Sequence, residues 1–147
     1  MADHPDRFDA IIQKLRGSGH KITPQRMAIA DILAKSEGHP SAETIHARIK
    51  PVFPTLSLAT VYRNIMLIKS LGEVLELGFP DGSNRYDGHR PYPHPHLICV
   101  KCKKIVDSDL GRLDEIKEEI ALENHFKILN HRLDFFGICS DCMAENG

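Results

Sequence analysis

The sequence predicts a mixed α+β chain: an N-terminal winged helix-turn-helix followed by a small C-terminal α+β unit. Three observations carry that prediction. Apolar residues recur at helical spacing through four segments up to Gly72 and then change to a strand period. The last helix is followed directly by a hairpin pattern, which is the order of a winged helix. Finally, all four cysteines stand in two Cys-x-x-Cys pairs, Cys99/Cys102 and Cys139/Cys142, outside the helical half. The boundaries expected are 1–86 for the winged helix, 87–97 for a hinge and metal-ligand segment, and 98–147 for a zinc-clamped unit.

Each element has a local reason. Phe8, Ile11, Ile12 and Leu15 give the first helix, stopped at Gly17-Ser18-Gly19. Thr23 is placed to cap the second helix with Pro24 at its first position, and Met27, Ala30, Ile32 and Leu33 follow until Gly38. Pro40-Ser41 opens a third helix carrying Ile45 and Ile49, ended by Pro51 and Pro54. Ser57 caps a fourth, where Leu58, Val61, Ile65, Ile68 and Leu71 make one stripe and Gly72 ends it. Val74–Phe79 and Asn84–Tyr86 read as strands around the turn Pro80-Asp81-Gly82-Ser83. After a Pro- and Gly-rich stretch at 87–98, Leu97–Val100 and Ile105-Val106 read as strands. Leu113, Ile116, Ile120 and Ala121 mark a helix, and Lys127–His131 and Leu133–Ile138 read as two further strands.

Composition bounds the function. With 147 residues, 41% apolar and 27% charged at net charge −1, the chain is neither disordered nor membrane-embedded in character. The acidic start has no signal-peptide pattern, and no apolar run would span a bilayer, so a cytoplasmic protein with reduced thiols is expected. Residues 1–85 hold 11 Lys and Arg against 9 Asp and Glu (net +2), and residues 86–147 hold 8 against 11 (net −3). The more basic half is the helical one, which points weakly to an anionic partner there.

Two ligand sets stand out. Four thiolates in two pairs match a closed tetrahedral zinc site; with no open position its role is structural, and two pairs outweigh a dithiol redox motif. His39, Asp87, His94, His96 and Asp107 form a nitrogen and oxygen set suited to Fe²⁺, Mn²⁺ or Zn²⁺. His94 and His96 lie two apart, on one face if that segment is extended. His39 would bring in the first half, and His89 is an alternative to Asp87. On the fourth helix, Thr60, Tyr62, Arg63 and Asn64 lie off the apolar stripe near the N-terminus, where a recognition helix meets base edges and phosphates; a solvated helix face reads the same way.

Taken in order, Ile22-Thr23-Pro24-Gln25-Arg26, His39-Pro40-Ser41-Ala42-Glu43, Leu58-Ala59-Thr60-Val61-Tyr62-Arg63-Asn64, Arg85-Tyr86-Asp87, His94-Pro95-His96-Leu97-Ile98-Cys99, Ile105-Val106-Asp107 and the final Cys-x-x-Cys resemble the ferric uptake regulator family over roughly Phe8 to Cys142. The resemblance implies an N-terminal winged helix, a C-terminal α+β dimerisation domain and a homodimer that binds palindromic double-stranded operator DNA when metal-loaded. It implies structural Zn²⁺ on Cys99, Cys102, Cys139 and Cys142. It also implies regulatory Fe²⁺ or Mn²⁺ on His39, Asp87, His94, His96 and Asp107. DNA contacts from Thr60, Tyr62, Arg63 and Arg26 follow from it too. Asp107, where iron-uptake regulators commonly carry Glu, resembles the peroxide-sensing branch, in which Fe²⁺ and peroxide oxidise a ligand histidine; His39 and His94 match those positions. Pro93 and Pro95 replace members of an additional metal site, leaving Asp114 and His131, which favours the same branch. The segment from Asp87 to His94 is one residue longer than usual. The alternatives are an iron- or zinc-responsive uptake repressor and, in another class, a non-haem metal enzyme using the two histidines and one carboxylate; no general base or substrate pocket is identifiable for the enzyme.

Overall fold

Helix starts in the first half are decided by single side chains. In the computed structural model, which describes residues 6–35, 39–79 and 83–145, Asp6, Thr23, Ser41 and Ser57 each accept a hydrogen bond from the backbone N–H two or three residues on. They start α1 (Arg7–Gly17), α2 (Pro24–Ala34), α3 (Ala42–Ile49) and α4 (Leu58–Ser70). Each such cap is worth about 1 kcal/mol, because it satisfies an N–H that the helix itself cannot. Gly72, at φ +80°, turns the chain out of α4, and Glu73 N–H reaches back to the Ile68 carbonyl. The expected end of α2 at Gly38 and the hairpin turn Pro80–Gly82 lie outside the described residues.

The chain divides into two units, Met1–Tyr92 and Pro93–Gly147. In the first, β1 (Leu75–Leu77) pairs antiparallel with β2 (Arg85–Asp87), Glu76 opposite Tyr86. The stripes of the helices meet in one core. Ile11, Leu15, Ile29, Leu33, Ile45, Val61 and Ile65 are fully buried, and Tyr86 from β2 joins them. Each buried aliphatic side chain contributes about 1.5–3 kcal/mol. Arg7 ties α1 to the segments flanking the hairpin, through Glu73 Oε2 at 2.7 Å and the Gly88 carbonyl at 2.8 Å. Gly88 N–H in turn donates to the Leu33 carbonyl at 3.1 Å.

The second unit holds β3 (His96–Cys99), β4 (Ile105–Asp107), α5 (Leu113–Asn124), β5 (Asp134–Gly137) and α6 (Ser140–Glu145). Its sheet runs β4-β3-β5, with β3 antiparallel to β4 and parallel to β5. Ile98, Cys99, Ile105 and Cys142 are its buried apolar residues. Val106, Leu97 and Phe135 stand side by side across the three strands and are 41–52% exposed. α5 has no buried residue, although Leu113, Ile116 and Ile120 keep their helical spacing.

The strand expected at Lys127–His131 does not form. A strand needs a neighbour to take its backbone groups; among the described residues no strand pairs with this segment, and Leu129 is 84% exposed. Among the described residues no helix is long and apolar enough to cross a membrane.

Candidate metal centres

The thiol cluster is built by a short β-turn and a short helix. Cys99 ends β3 and Cys102 lies in the turn to β4, where Lys103 adopts φ +65°. Cys139 follows β5 and Cys142 sits in the first turns of α6. The parallel pairing of β3 with β5 brings the two pairs together: Cys99 Sγ lies 3.8 Å from Cys142 Sγ, and Cys102 Sγ lies 3.7 Å from Cys139 Sγ. A sulfur–sulfur bond is about 2.05 Å, so these are not disulfides. Tetrahedral Zn–S bonds of about 2.3 Å place sulfurs about 3.8 Å apart, which is the spacing here. All four sulfurs lie within 4.8 Å of one another. They have the number, chemistry and spacing to hold Zn²⁺.

The thiols are electrostatically unequal. Backbone N–H groups of Cys102 and Cys139 aim at Cys99 and lower its pKa to about 6. The Cys139 thiol, followed by burial, pushes Cys142 up to about 12. Four crowded sulfurs cannot all ionise alone, and a divalent cation removes that conflict.

A second cluster lies on the same unit. His96 opens β3 and Asp107 ends β4, directly opposite in register. One carboxylate oxygen, Asp107 Oδ1, lies 3.0 Å from His94 Nε2 and 3.4 Å from His96 Nε2. The two rings are tilted by 50° with centroids 4.4 Å apart, and both are buried. Two buried imidazoles and a half-buried carboxylate converge in a donor set of intermediate hardness, suited to Fe²⁺, Mn²⁺ or Zn²⁺.

In the first unit, His39 is buried at a left-handed φ of +53°, its carbonyl accepting from Arg85 Nη1 at 3.3 Å. Its Nδ1 faces Asp87 Oδ2 at 3.4 Å. Asp87 Oδ1 accepts from the backbone N–H groups of His89 and Arg90 at 2.8 and 2.9 Å. Asp87 is thus a shaped, buried carboxylate, whereas His89 is exposed with its ring on the Ala34 carbonyl. Asp114 and His131 belong to no group of converging ligand atoms among the described residues.

On α4, Tyr62 donates from its hydroxyl to Glu43 Oε1 of α3 at 2.9 Å, and Arg63 Nη2 donates to Thr60 Oγ1 at 3.0 Å. The side chains of Tyr62 and Arg63 are exposed. Asn64, expected on this outer face, is instead buried. Its amide donates to the Thr60 carbonyl and accepts from Arg26 Nε at 2.9 Å. Arg26 also donates to the Lys21 carbonyl at 2.8 Å, so it braces α2 against α4.

A family description reading "Ferric uptake regulator family" matches residues 17–136. The chain belongs to the ferric uptake regulator family. It is therefore a transcription regulator and not an enzyme, which removes the metal-enzyme alternative. The peroxide-responsive repressor PerR of Staphylococcus epidermidis is 40% identical to it over 97% of this chain and 93% of that protein. The ferric uptake regulator Fur of Helicobacter pylori, whose structure is described as revealing three functional metal binding sites, matches 92% of this chain and 93% of its own at TM-score 0.80 and 25% identity. The structure of PerR from Streptococcus pyogenes, described as the basis of peroxide sensing and gene regulation, matches 93% of each chain at TM-score 0.53 and 33% identity.

Sequence reasoning missed Asp134, which faces His96 Nδ1 at 3.5 Å. Its only sequence signal is an acidic residue at the start of a strand, and the pairing of that strand is non-local.

Proposed function

We propose that this ferric uptake regulator family member is a metal-dependent repressor that binds palindromic operator DNA as a homodimer in the cytoplasm and responds to peroxide. The observation that carries the reading is Asp107, whose single oxygen meets both His94 and His96. It supports a nitrogen and oxygen site for Fe²⁺ or Mn²⁺ beside a closed thiolate site for Zn²⁺. His39 and Asp87 are the further ligands that the family resemblance assigns. The PerR relative in S. epidermidis supports peroxide as the stimulus.

The residues divide the work. Cys99, Cys102, Cys139 and Cys142 clamp the second unit and hold β3, and so His96, in place. His94, His96 and Asp107 bind the regulatory ion. Tyr62, Arg63 and Thr60 present α4 to base edges and phosphates, with Arg26 bracing it and adding positive charge. A bound Fe²⁺ would supply the redox chemistry by which peroxide passes one oxygen to the ring of His39 or His94, the ring giving up two electrons and the other oxygen leaving as water. An oxidised ligand weakens the site, and the population of the DNA-binding arrangement falls. A coupling of about 1.4 kcal/mol is already a tenfold change in DNA affinity.

A metal-uptake repressor is the second reading, favoured by the TM-score of 0.80 to H. pylori Fur. Mass spectrometry of the Fe²⁺-loaded protein after peroxide separates the two, together with an operator gel shift on the same sample. One added oxygen, about 16 Da, on the His39 or His94 peptide, with release of DNA, is expected. Intact histidines with unimpaired DNA binding would reject peroxide sensing. His94→Ala is expected to abolish metal-dependent DNA binding while keeping the zinc.

A further inference from the structure

We infer that Asp134, held by Arg132, is a positioning residue for His96: it takes the Nδ1 side of the ring and leaves Nε2 to the ion. The inference rests on the proposed reading of His96 and Asp107 as metal ligands.

Register is the starting point. β3 is the central strand, and His96 stands opposite Asp107 on β4 and opposite Asp134 on β5. Residues directly opposed in a sheet project from the same face. The three side chains therefore form one row, carboxylate–imidazole–carboxylate, across the sheet.

The two carboxylates meet different nitrogens. Asp107 Oδ1 lies 3.4 Å from Nε2, and Asp134 Oδ1 lies 3.5 Å from Nδ1. The two nitrogens of an imidazole point away from each other, so one ring cannot offer both to a single ion. The ion side is the one where His94 Nε2 also meets Asp107. Asp134 is therefore on the far side: its Oδ1 faces Nδ1 across 3.5 Å, an ion-pair separation and not a formed hydrogen bond, and it does not ligate.

Arg132 sets the angle of that carboxylate. Its Nε donates to Asp134 Oδ2 at 2.5 Å, which leaves Oδ1 as the oxygen turned to the ring. The Asp134 side chain is 10% exposed and that of His96 is 2%. A buried carboxylate at Nδ1 favours the Nδ1–H tautomer and keeps the lone pair on Nε2, which orients the ring and raises its basicity toward a metal. Removal of such a partner typically weakens metal binding about 10–100-fold.

Two measurements test this on the full chain with its zinc in place. The first needs no variant: nitrogen-15 correlation spectra of the imidazoles, recorded without regulatory metal above the ordinary histidine pKa. His96 is expected as the Nδ1–H tautomer. The second is Mn²⁺ titration of wild type, Asp134→Asn and His96→Ala. Asp134→Asn is expected to mix the tautomers of His96 and to lower Mn²⁺ affinity about 10–100-fold, with zinc content and thermal midpoint unchanged. A wild-type Nε2–H tautomer overturns the inference. So does an Asp134→Asn affinity within about twofold of wild type while His96→Ala loses binding; in both cases the site reading stands. Wild-type Mn²⁺ affinity in His96→Ala overturns the site reading and the inference together.

Discussion

Replacing Gly88 by Ala tests whether the junction behind Asp87 is as tight as its geometry implies. A Cβ at this position would lie 2.7 Å from the Leu33 carbonyl oxygen, 2.8 Å from its carbonyl carbon and 2.9 Å from its Cβ. Ordinary contacts are about 3.5 Å, and two of the three atoms are backbone inside α2, so Gly88 itself must retreat by about 0.6–0.8 Å. That retreat stretches the 3.1 Å bond from Gly88 N–H to the same carbonyl beyond hydrogen-bonding range. Overpacking costs about 1–3 kcal/mol and the lost bond about 0.5–1.5 kcal/mol, so the first unit should lose about 2–4 kcal/mol. For a unit of this size each kcal/mol lowers the thermal midpoint by about 4–8 °C. The assay is thermal unfolding followed by helical circular dichroism, with zinc measured on the same sample. A fall of at least about 8 °C at unchanged zinc content is expected, since the four cysteines belong to the other unit. A midpoint within about 2 °C of wild type would refute the reasoning, because the clash would then be relieved at no cost.

Other outcomes follow from the same geometry. Cys102→Ser removes an exposed member of the thiol cluster; plasma mass spectrometry should find well under one zinc per chain, and the second unit should lose its cooperative transition, because structural zinc is worth about 10–16 kcal/mol of folding energy. Retention of one zinc per chain would count against the four-thiol site. The Tyr62–Glu43 bond makes a pH prediction. Glu43 is lowered by its helix-start backbone N–H and then by Tyr62, so its stabilisation holds above the ordinary carboxylate value and is lost as pH falls through the folded one. Tyr62 is raised, chiefly by Glu43, so its share holds below the ordinary tyrosine value and is lost as pH rises through the raised one. Urea denaturation of wild type and Tyr62→Phe should differ by less than about 1 kcal/mol across neutral pH and converge at both extremes, while the variant binds operator DNA more weakly.

What was legible in the sequence was local. Thr23, Ser41 and Ser57 act within their own first turns, so their caps needed no knowledge of the fold. The cysteine spacing worked the same way, since each pair needs only one turn to converge. Legibility failed where a partner far along the chain decides. Asn64 reads as an outward polar residue until Arg26, 38 positions earlier, is seen to bond it inward. Lys127–His131 reads as a short strand, but nothing in the sequence says whether another strand will pair with it, and none does among the described residues. α6 was missed because Cys-x-x-Cys reads as a turn, whereas its second cysteine lies inside a helix that starts at Ser140. Asp134 needed the parallel register of β3 with β5, a pairing that no short pattern encodes.

The bare helix α5 carries a consequence of its own. Among the described residues none of its apolar positions is buried, and the row Val106, Leu97 and Phe135 is 41–52% exposed. In the proposed homodimer such surfaces are closed by a second copy, and the cohesion of the unit then obeys mass action. Its melting point would then be a function of how much protein is in the tube, climbing as the solution is made more concentrated and sinking on dilution. If that homodimer forms, folding and finding a mate become one equilibrium, and a scarce chain would also be a fragile one.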